Sequence, residues 1–295
     1  MRMRFLGTLG LGVLATGILV AHFLPTASAD NSSYYLDPAR AEVIVNPKTN
    51  LASGTITVTS SANSLIKLKV IPKLWGLSQN DGNIEYYDEP TTGFDLLKSV
   101  RFNPTEFELK PKATRLVRYV VNIPKDLKDG EYPLQVYFEP SEVLKPVEET
   151  APVKGIKQVL KVVPVFTTTM YIYKGNTSPQ AKVDSFACAY DKTKSAVSVD
   201  LSVSNMGNKH ARLFGNAVLS QLGVDGKTTV LETYHLRQNT LLIVFPERTR
   251  KHSELLTSTG KALKALAPGK YRLDLSLVDE RELQPAVPSV CEFSL

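Results

Sequence analysis

The stretch that most constrains the fold runs from Phe102 to Pro140, FNPTEFELKPKATRLVRYVVNIPKDLKDGEYPLQVYFEP, because it holds three strand patterns and their turns. Glu106 to Lys110 alternates polar and apolar, and Lys110-Pro111-Lys112-Ala113 predicts a turn. Leu116 to Ile123 places Val117, Tyr119, Val121 and Ile123 at period two, the spacing of a strand with one buried face. Pro124 ends that strand. A polar connection from Lys125 to Gly130 leads into Tyr132, Leu134, Val136 and Phe138, again at period two, with Tyr132 where a tyrosine corner would stand. Strand, turn, strand, corner and strand in this order predict an immunoglobulin-like β-sandwich.

The same signals continue on both sides. Val43 and Val45, Gly54 to Thr59 (GTITVT) and Leu65 to Pro72 (LIKLKVIP) predict strands, separated by Asn46-Pro47 and Ser60 to Ser64. Gly76 to Gly93 is polar and is predicted to be a surface excursion. Ser141 to Gly155 reads as a mobile loop. Ile156 to Tyr173 reads as one long strand whose Pro164, unable to donate to a ladder, belongs at an edge or a bulge. Beyond a turn-rich linker, strands are predicted near residues 181–189, 196–203, 211–219, 228–234, 241–244, 270–278 and 290–293, with a helical turn at Ser253 to Leu266. Leu127-x-x-Gly130-Glu131-Tyr132-x-Leu134 recurs as Leu266-x-x-Gly269-Lys270-Tyr271-x-Leu273, so two domains of one kind are expected, each with its own corner tyrosine. The division predicted is a leader at 1–29, a first domain at 30–174, a linker at 175–180 and a second domain at 181–295.

At the N-terminus, Arg2 and Arg4 precede an apolar run from Phe5 to Leu24, and Ala27-Ser28-Ala29 is a small-x-small site. The pattern predicts a signal peptide cleaved near Ala29 and a periplasmic destination; an uncleaved membrane anchor is the alternative. Export makes a disulfide between Cys188 and Cys291 permissible, with two buried free thiols as the other reading. Net charge is +6, two units of which are Arg2 and Arg4. Such a balance argues against nucleic acid as partner, because a phosphate footprint needs clustered Lys and Arg, and the nearest cluster, Arg248, Arg250, Lys251 and His252, reads as a solvated loop.

Little points to an enzyme. His210, His235 and His252 lack the spacing of a zinc site, there is no C-x-x-C, and no G-x-S-x-G elbow or glycine-rich phosphate loop is present. No catalytic residue, metal, cofactor or small-molecule substrate is predicted. A binding role fits better. Val159, Val163 and Val165 fall at even spacing on the last strand of the first domain, where they either line an exposed edge that invites another chain or face the domain's own core.

The run with its proline turn, Val117-Arg118 strand, Pro124-x-x-Leu127 and Gly130-Glu131-Tyr132 resembles the N-terminal domain of PapD-like periplasmic pilus chaperones over roughly Leu36 to Lys174. The resemblance implies a protein that caps pilin-like fibre subunits by donor-strand complementation, lending Val159, Val163 and Val165 to the subunit's open groove, in partnership with an outer-membrane usher. It implies that Arg40, in Leu36-Asp37-Pro38-Ala39-Arg40-Ala41, anchors the subunit's terminal carboxylate; an exposed charge on an edge strand is the alternative. The family's second anchor, a lysine, aligns with Met170, leaving Lys161 or Lys174 as substitutes. The resemblance also implies an interdomain charge network of Arg118, Glu131 and Asp279 that orients the domains, against the plainer reading of surface ion pairs. An exported structural or adhesive protein of the same fold is the rival function.

Overall fold

A computed structural model describes residues 33–88, 94–141, 164–236, 241–256, 266–281 and 285–295. The expected signal peptide, Val159, Lys161 and Val163 lie outside them.

Residues 34–174 form two facing sheets. β1 (Tyr34–Asp37), β3 (Leu51–Ser60), β8 (Thr114–Asn122) and β6 (Val100–Asn103) make one, in the order β1-β3-β8-β6. The other runs β2 (Arg40–Ile44), β10 (Phe166–Lys174), β9 (Gly130–Pro140), β4 (Ile66–Leu77) and β5 (Ile84–Tyr87), with β7 (Glu106–Leu109) also on β4. One helical turn, α1 (Leu96–Ser99), leads into β6, its Asp95 side chain accepting the Leu97 amide. The first strand divides between the sheets: β1 pairs antiparallel with β3, and past Pro38 β2 pairs parallel with β10. Alternation sets the core. Val117, Tyr119 and Val121 of β8 face Leu134, Val136 and Phe138 of β9, with Met170 and Ile172 of β10 beside them, all buried. Each fully buried aliphatic or aromatic side chain of this kind contributes about 1.5–3 kcal/mol.

Residues 181–294 repeat the plan. β11 (Ala181–Asp191), β12 (Ala196–Asn205) and β16 (Arg248–Leu256) form one sheet. β14 (Thr228–Leu236), β13 (Ala211–Leu222), β17 (Lys270–Asp279) and β18 (Pro285–Ser294) form the other, with β15 (Leu242–Val244) on β13. Their inward faces make a second core, and a Cys188–Cys291 disulfide joins the first and last strands across the two sheets. The recurring tyrosines do equivalent work. Tyr132 donates its hydroxyl to the Lys128 carbonyl at 2.7 Å, and Tyr271 donates to the Ala267 carbonyl at 2.6 Å, each four residues upstream. Both domains are thus β-sandwiches closed by a corner tyrosine.

Two expectations need correction. Residues 248–252 are no solvated loop: they lie on β16, with Arg250 buried. Ser253 to Leu256, expected in a helical turn, continue that strand. The expected excursion after Gly76 does lie at the surface through Asp88, as a β4–β5 hairpin whose tip docks on the second domain.

Candidate functional site between the domains

A sandwich strand normally buries every second residue, yet Gly130 to Tyr132 on β9 and Met170 to Tyr173 on β10 are buried without interruption. Tyr132, Met170 and Ile172 belong to the first core. The odd-numbered ones, Glu131, Tyr171 and Tyr173, are covered from outside by the second domain. Trp75, Tyr171, Tyr173 and Phe245 form a separate apolar cluster there, with Trp75 edge-on to Phe245 at 5.2 Å between ring centroids.

Inside this seam the Glu131 carboxylate accepts two hydrogen bonds from His210, one from the backbone amide at 3.1 Å and one from ring Nδ1 at 2.5 Å. The imidazole stacks on Tyr171 at 4.3 Å. On its other side the Arg281 guanidinium donates to the His210 carbonyl and brings Nη1 to 3.5 Å from Nε2. An arginine only donates, so Nε2 is the acceptor and Nδ1 carries the proton shared with Glu131. Asp279 accepts the amides of Arg212 at 2.8 Å and Arg281 at 2.9 Å, and Arg212 Nε donates to Glu280 at 2.7 Å.

The network therefore reads Glu131, His210, Arg281, Asp279. Glu131 and Asp279 both belong to it. Arg118 does not: its position on β8 points away from the core of the opposite sheet, where its side chain is exposed. His210 and Arg281 carried no signal in the sequence, because neither repeats a spacing or belongs to a motif.

The seam is closed at two further points. Arg250 donates to the Ser78 and Asp81 carbonyls, both at 2.7 Å, and the Lys251 amide donates to the Gln79 carbonyl at 2.8 Å. Gly82, at φ +69°, stands where a Cβ would collide with that guanidinium. Nearer the linker, the Asn208 amide nitrogen donates to the Asp129 and Asn176 carbonyls, and its oxygen accepts the Ser178 amide.

Arg40 lies on β2 opposite Thr169 of β10, on the outward face of the sheet. Its side chain is 44% exposed and stands 3.8 Å from Glu42. Burial pushes the neighbouring Tyr171 hydroxyl up to about 12; Glu131 adds to the rise, and Arg212, Arg40 and Arg281 oppose it, so all three guanidinium groups act at this hydroxyl.

Met170 is fully buried in the first core, opposite Leu134 and Ala41. Its position could not present a cation to the cleft, since strand alternation turns it inward; Thr169 and Tyr171 are the outward neighbours. Lys174 is committed elsewhere, donating to the Leu127 and Lys125 carbonyls with Asp129 at 3.7 Å. Val165 is 43% exposed, so it does not face its own domain's core. Among the described residues no group of three or more His, Cys, Asp or Glu is placed to hold a metal ion, and no helix is long and apolar enough to cross a membrane.

No family model matches the sequence, and no curated protein matches it. Among solved structures, the fold is similar to the class 5 fimbriae chaperone CfaA, at 15% identity and a TM-score of 0.46 over 87% of this chain and 100% of that one. It is also similar to the CsuC–CsuE chaperone–tip adhesion subunit complex of chaperone-usher Csu pili from Acinetobacter baumannii, at 11% identity and 0.43 over 75% of this chain and 90% of that one. A third is the Salmonella enterica SafA pilin in complex with the SafB chaperone, at 13% identity and 0.40 over 90% and 97%. The chain's structural neighbours are thus chaperones of pilus assembly. Likeness at this identity describes fold, and a fold hosts more than one function.

Proposed function

We propose that this protein is a periplasmic, non-catalytic chaperone of pilus assembly, which binds an incomplete fibre subunit and caps it with its own β10 strand. The observation that carries the reading is the edge of β10. β2 covers β10 only from Thr169 to Tyr173, so among the described residues Phe166 to Thr168 have β9 on one side and no paired strand on the other. Val165, just before this open half-edge, is exposed. A client strand could add there through main-chain hydrogen bonds, with Val165, and Val163 and Val159 before it, filling its groove.

Arg40 stands at the other end of the same edge, opposite Thr169, on the outward face. A guanidinium there is suited to a terminal carboxylate, which it can grip through two parallel hydrogen bonds. In this reading residues 1–29 act as the export signal, and an outer-membrane usher receives the loaded chaperone.

The test is a pull-down of tagged protein from the periplasm, comparing wild type with Arg40→Ala and identifying partners by mass spectrometry. Recovery of a small β-rich secreted subunit by wild type and its loss in the variant is the expected result. Equal recovery by both, or recovery of no subunit by wild type, would overturn the reading. A second reading, an exported structural or adhesive protein, is favoured by the burial of Met170 where the family's second anchoring cation was expected. It requires that no transient subunit be captured.

A further inference from the structure

Strand alternation fixes which backbone groups of β10 face its open edge. The Thr169 amide donates to the Ala39 carbonyl at 2.9 Å, so odd-numbered residues turn N–H and C=O toward β2 and even-numbered ones toward β9. Where β2 stops, Val165 and Thr167 therefore present their main chain to the edge, and among the described residues no strand pairs with them there. A strand end with a single neighbour frays unless something else holds it.

The hold comes from across the sandwich. Tyr34 belongs to β1, which pairs with β3 in the other sheet, yet its buried side chain crosses the core and lies edge-on to Phe166 at 4.9 Å between ring centroids. Its hydroxyl accepts the Phe166 amide at 3.2 Å and donates to the Phe138 carbonyl. It thus joins both members of the last pair between β10 and β9. Just beyond β1, the Pro38 carbonyl accepts the Thr168 hydroxyl at 3.0 Å.

The outward face is held as well. Gln135 Nε2 donates to Thr167 Oγ1 at 3.2 Å, and the Gln135 oxygen accepts the Tyr86 hydroxyl at 2.9 Å. Burial pushes the Tyr34 hydroxyl up to about 12, with the Phe166 amide opposing the rise and Glu139 adding to it. The proton that bonds Phe138 therefore stays in place at neutral pH. A longer β2 would also hold this end of β10, but it would occupy the edge in doing so. A side chain reaching up from the core holds Phe166 and leaves the edge uncovered.

We infer that Tyr34 is a positioning residue for the open end of β10: its hydroxyl supplies the hold that β2 does not, keeping Phe166 to Thr168 extended with the Val165 and Thr167 main chain free for an added strand. That a client strand adds there rests on the proposed function. That the hydroxyl holds the end does not.

Tyr34→Phe keeps the ring and removes the hydroxyl. Ile56→Val is the control: Ile56 is buried on β3, four residues along from Ser60, the partner of Tyr34, and the change lowers core stability by a similar amount away from the open end. Amide exchange followed by NMR compares the two. In Tyr34→Phe the Phe166 amide should exchange about 5-fold faster, the factor that one hydrogen bond of about 1 kcal/mol supplies. In Ile56→Val it should keep the wild-type rate, because a fraying end does not open the core. A periplasmic pull-down with the same variants reads the use of that end: Tyr34→Phe should recover about 5-fold less of the fibre subunit than wild type, and Ile56→Val as much as wild type. An unchanged Phe166 rate in Tyr34→Phe, or an equal rise in Ile56→Val, would overturn the inference, since the end would then be held elsewhere or would open only with the whole domain. Recovery of no subunit by wild type would overturn the proposed function and leave the exchange rates to decide the role of Tyr34. Full recovery by Tyr34→Phe despite a faster Phe166 amide would overturn the use of that end by a client.

Discussion

Removing the Glu131 carboxylate should loosen the seam between the domains before it harms either sandwich. The His210 backbone amide and ring Nδ1 both donate to Glu131 Oε2, and His210 is completely buried. Glu131→Ala leaves both donors without a partner at about 1–3 kcal/mol each. The two together amount to a loss of about 2–6 kcal/mol. Glu131→Gln differs in one respect: its amide oxygen can still accept from His210, so only the charge assistance goes, at about 1 kcal/mol.

A two-domain chain has no single unfolding free energy, so the experiment needs two probes. Trp75, edge-on to Phe245 of the second domain, reports the seam; far-ultraviolet circular dichroism reports the strands. In urea the fluorescence midpoint of Glu131→Ala should fall by on the order of 1–2 M, ahead of the dichroism midpoint, while Glu131→Gln moves by a fraction of that. A cost under ~1 kcal/mol for Glu131→Ala, or equal shifts for the two variants, would refute the reasoning, because either outcome means that the two buried donors find other acceptors.

Further expectations concern the remaining contacts. Arg250→Ala deletes two charged hydrogen bonds to the Ser78 and Asp81 carbonyls and should destabilise the seam by about 3 kcal/mol, read as a lower Trp75 midpoint in urea; no change would mean that the hairpin tip does not hold the seam. Tyr171 and Tyr34 have hydroxyls raised to about 12, chiefly by burial, against 10 in the unfolded chain. The unfolded state therefore loses its protons first, and each of these two tyrosines should lower stability by up to ~2.7 kcal/mol as pH rises from ~10 to ~12. Thermal midpoints across that window check this, and Tyr171→Phe should flatten part of the fall. Reduction of Cys188–Cys291, which closes a loop of sequence separation 103, should destabilise the second domain by about 4–5 kcal/mol, read as a lower midpoint in reductant; an unchanged midpoint would sink that estimate.

The elements legible in the sequence are those whose pattern is set by their own domain. β8 and β9 show period two because one face meets a core made of their neighbours, and Tyr132 and Tyr271 recur because each closes its own sandwich. β16 was hidden by its charges. RTRKHSELL alternates weakly, and Arg250 is buried because its guanidinium finds two carbonyls in the other domain, which no local pattern encodes. His210 is similar: it is completely buried, yet its partners come from β9 and from Arg281 just beyond β17. Met170 misled by its neighbours in sequence. Motif alignment placed it at a cleft position, whereas alternation along β10 turns it into the core between Leu134 and Ala41.

That alternation ties the seam to the proposed edge. β10 is one strand with two neighbouring duties: from Met170 to Tyr173 both of its faces are buried, and from Phe166 to Thr168 one of its edges is unpaired. A strand held over four residues by a core on one face and a second domain on the other cannot slip, so the register of its open end is fixed before any client arrives. A one-residue slip would send Met170 and Ile172 out of the core and Tyr171 into it. Glu131 and His210 add direction to this: burying charge brings little net stability, but their hydrogen bonds are satisfied at one relative setting of the domains. Arg212 and Arg281 then stand at a fixed place relative to Arg40, and all three act on the Tyr171 hydroxyl. Under the proposed function, the affinity for a client's carboxylate should depend on the seam as well as on Arg40, because the seam sets the strand on which Arg40 is paired.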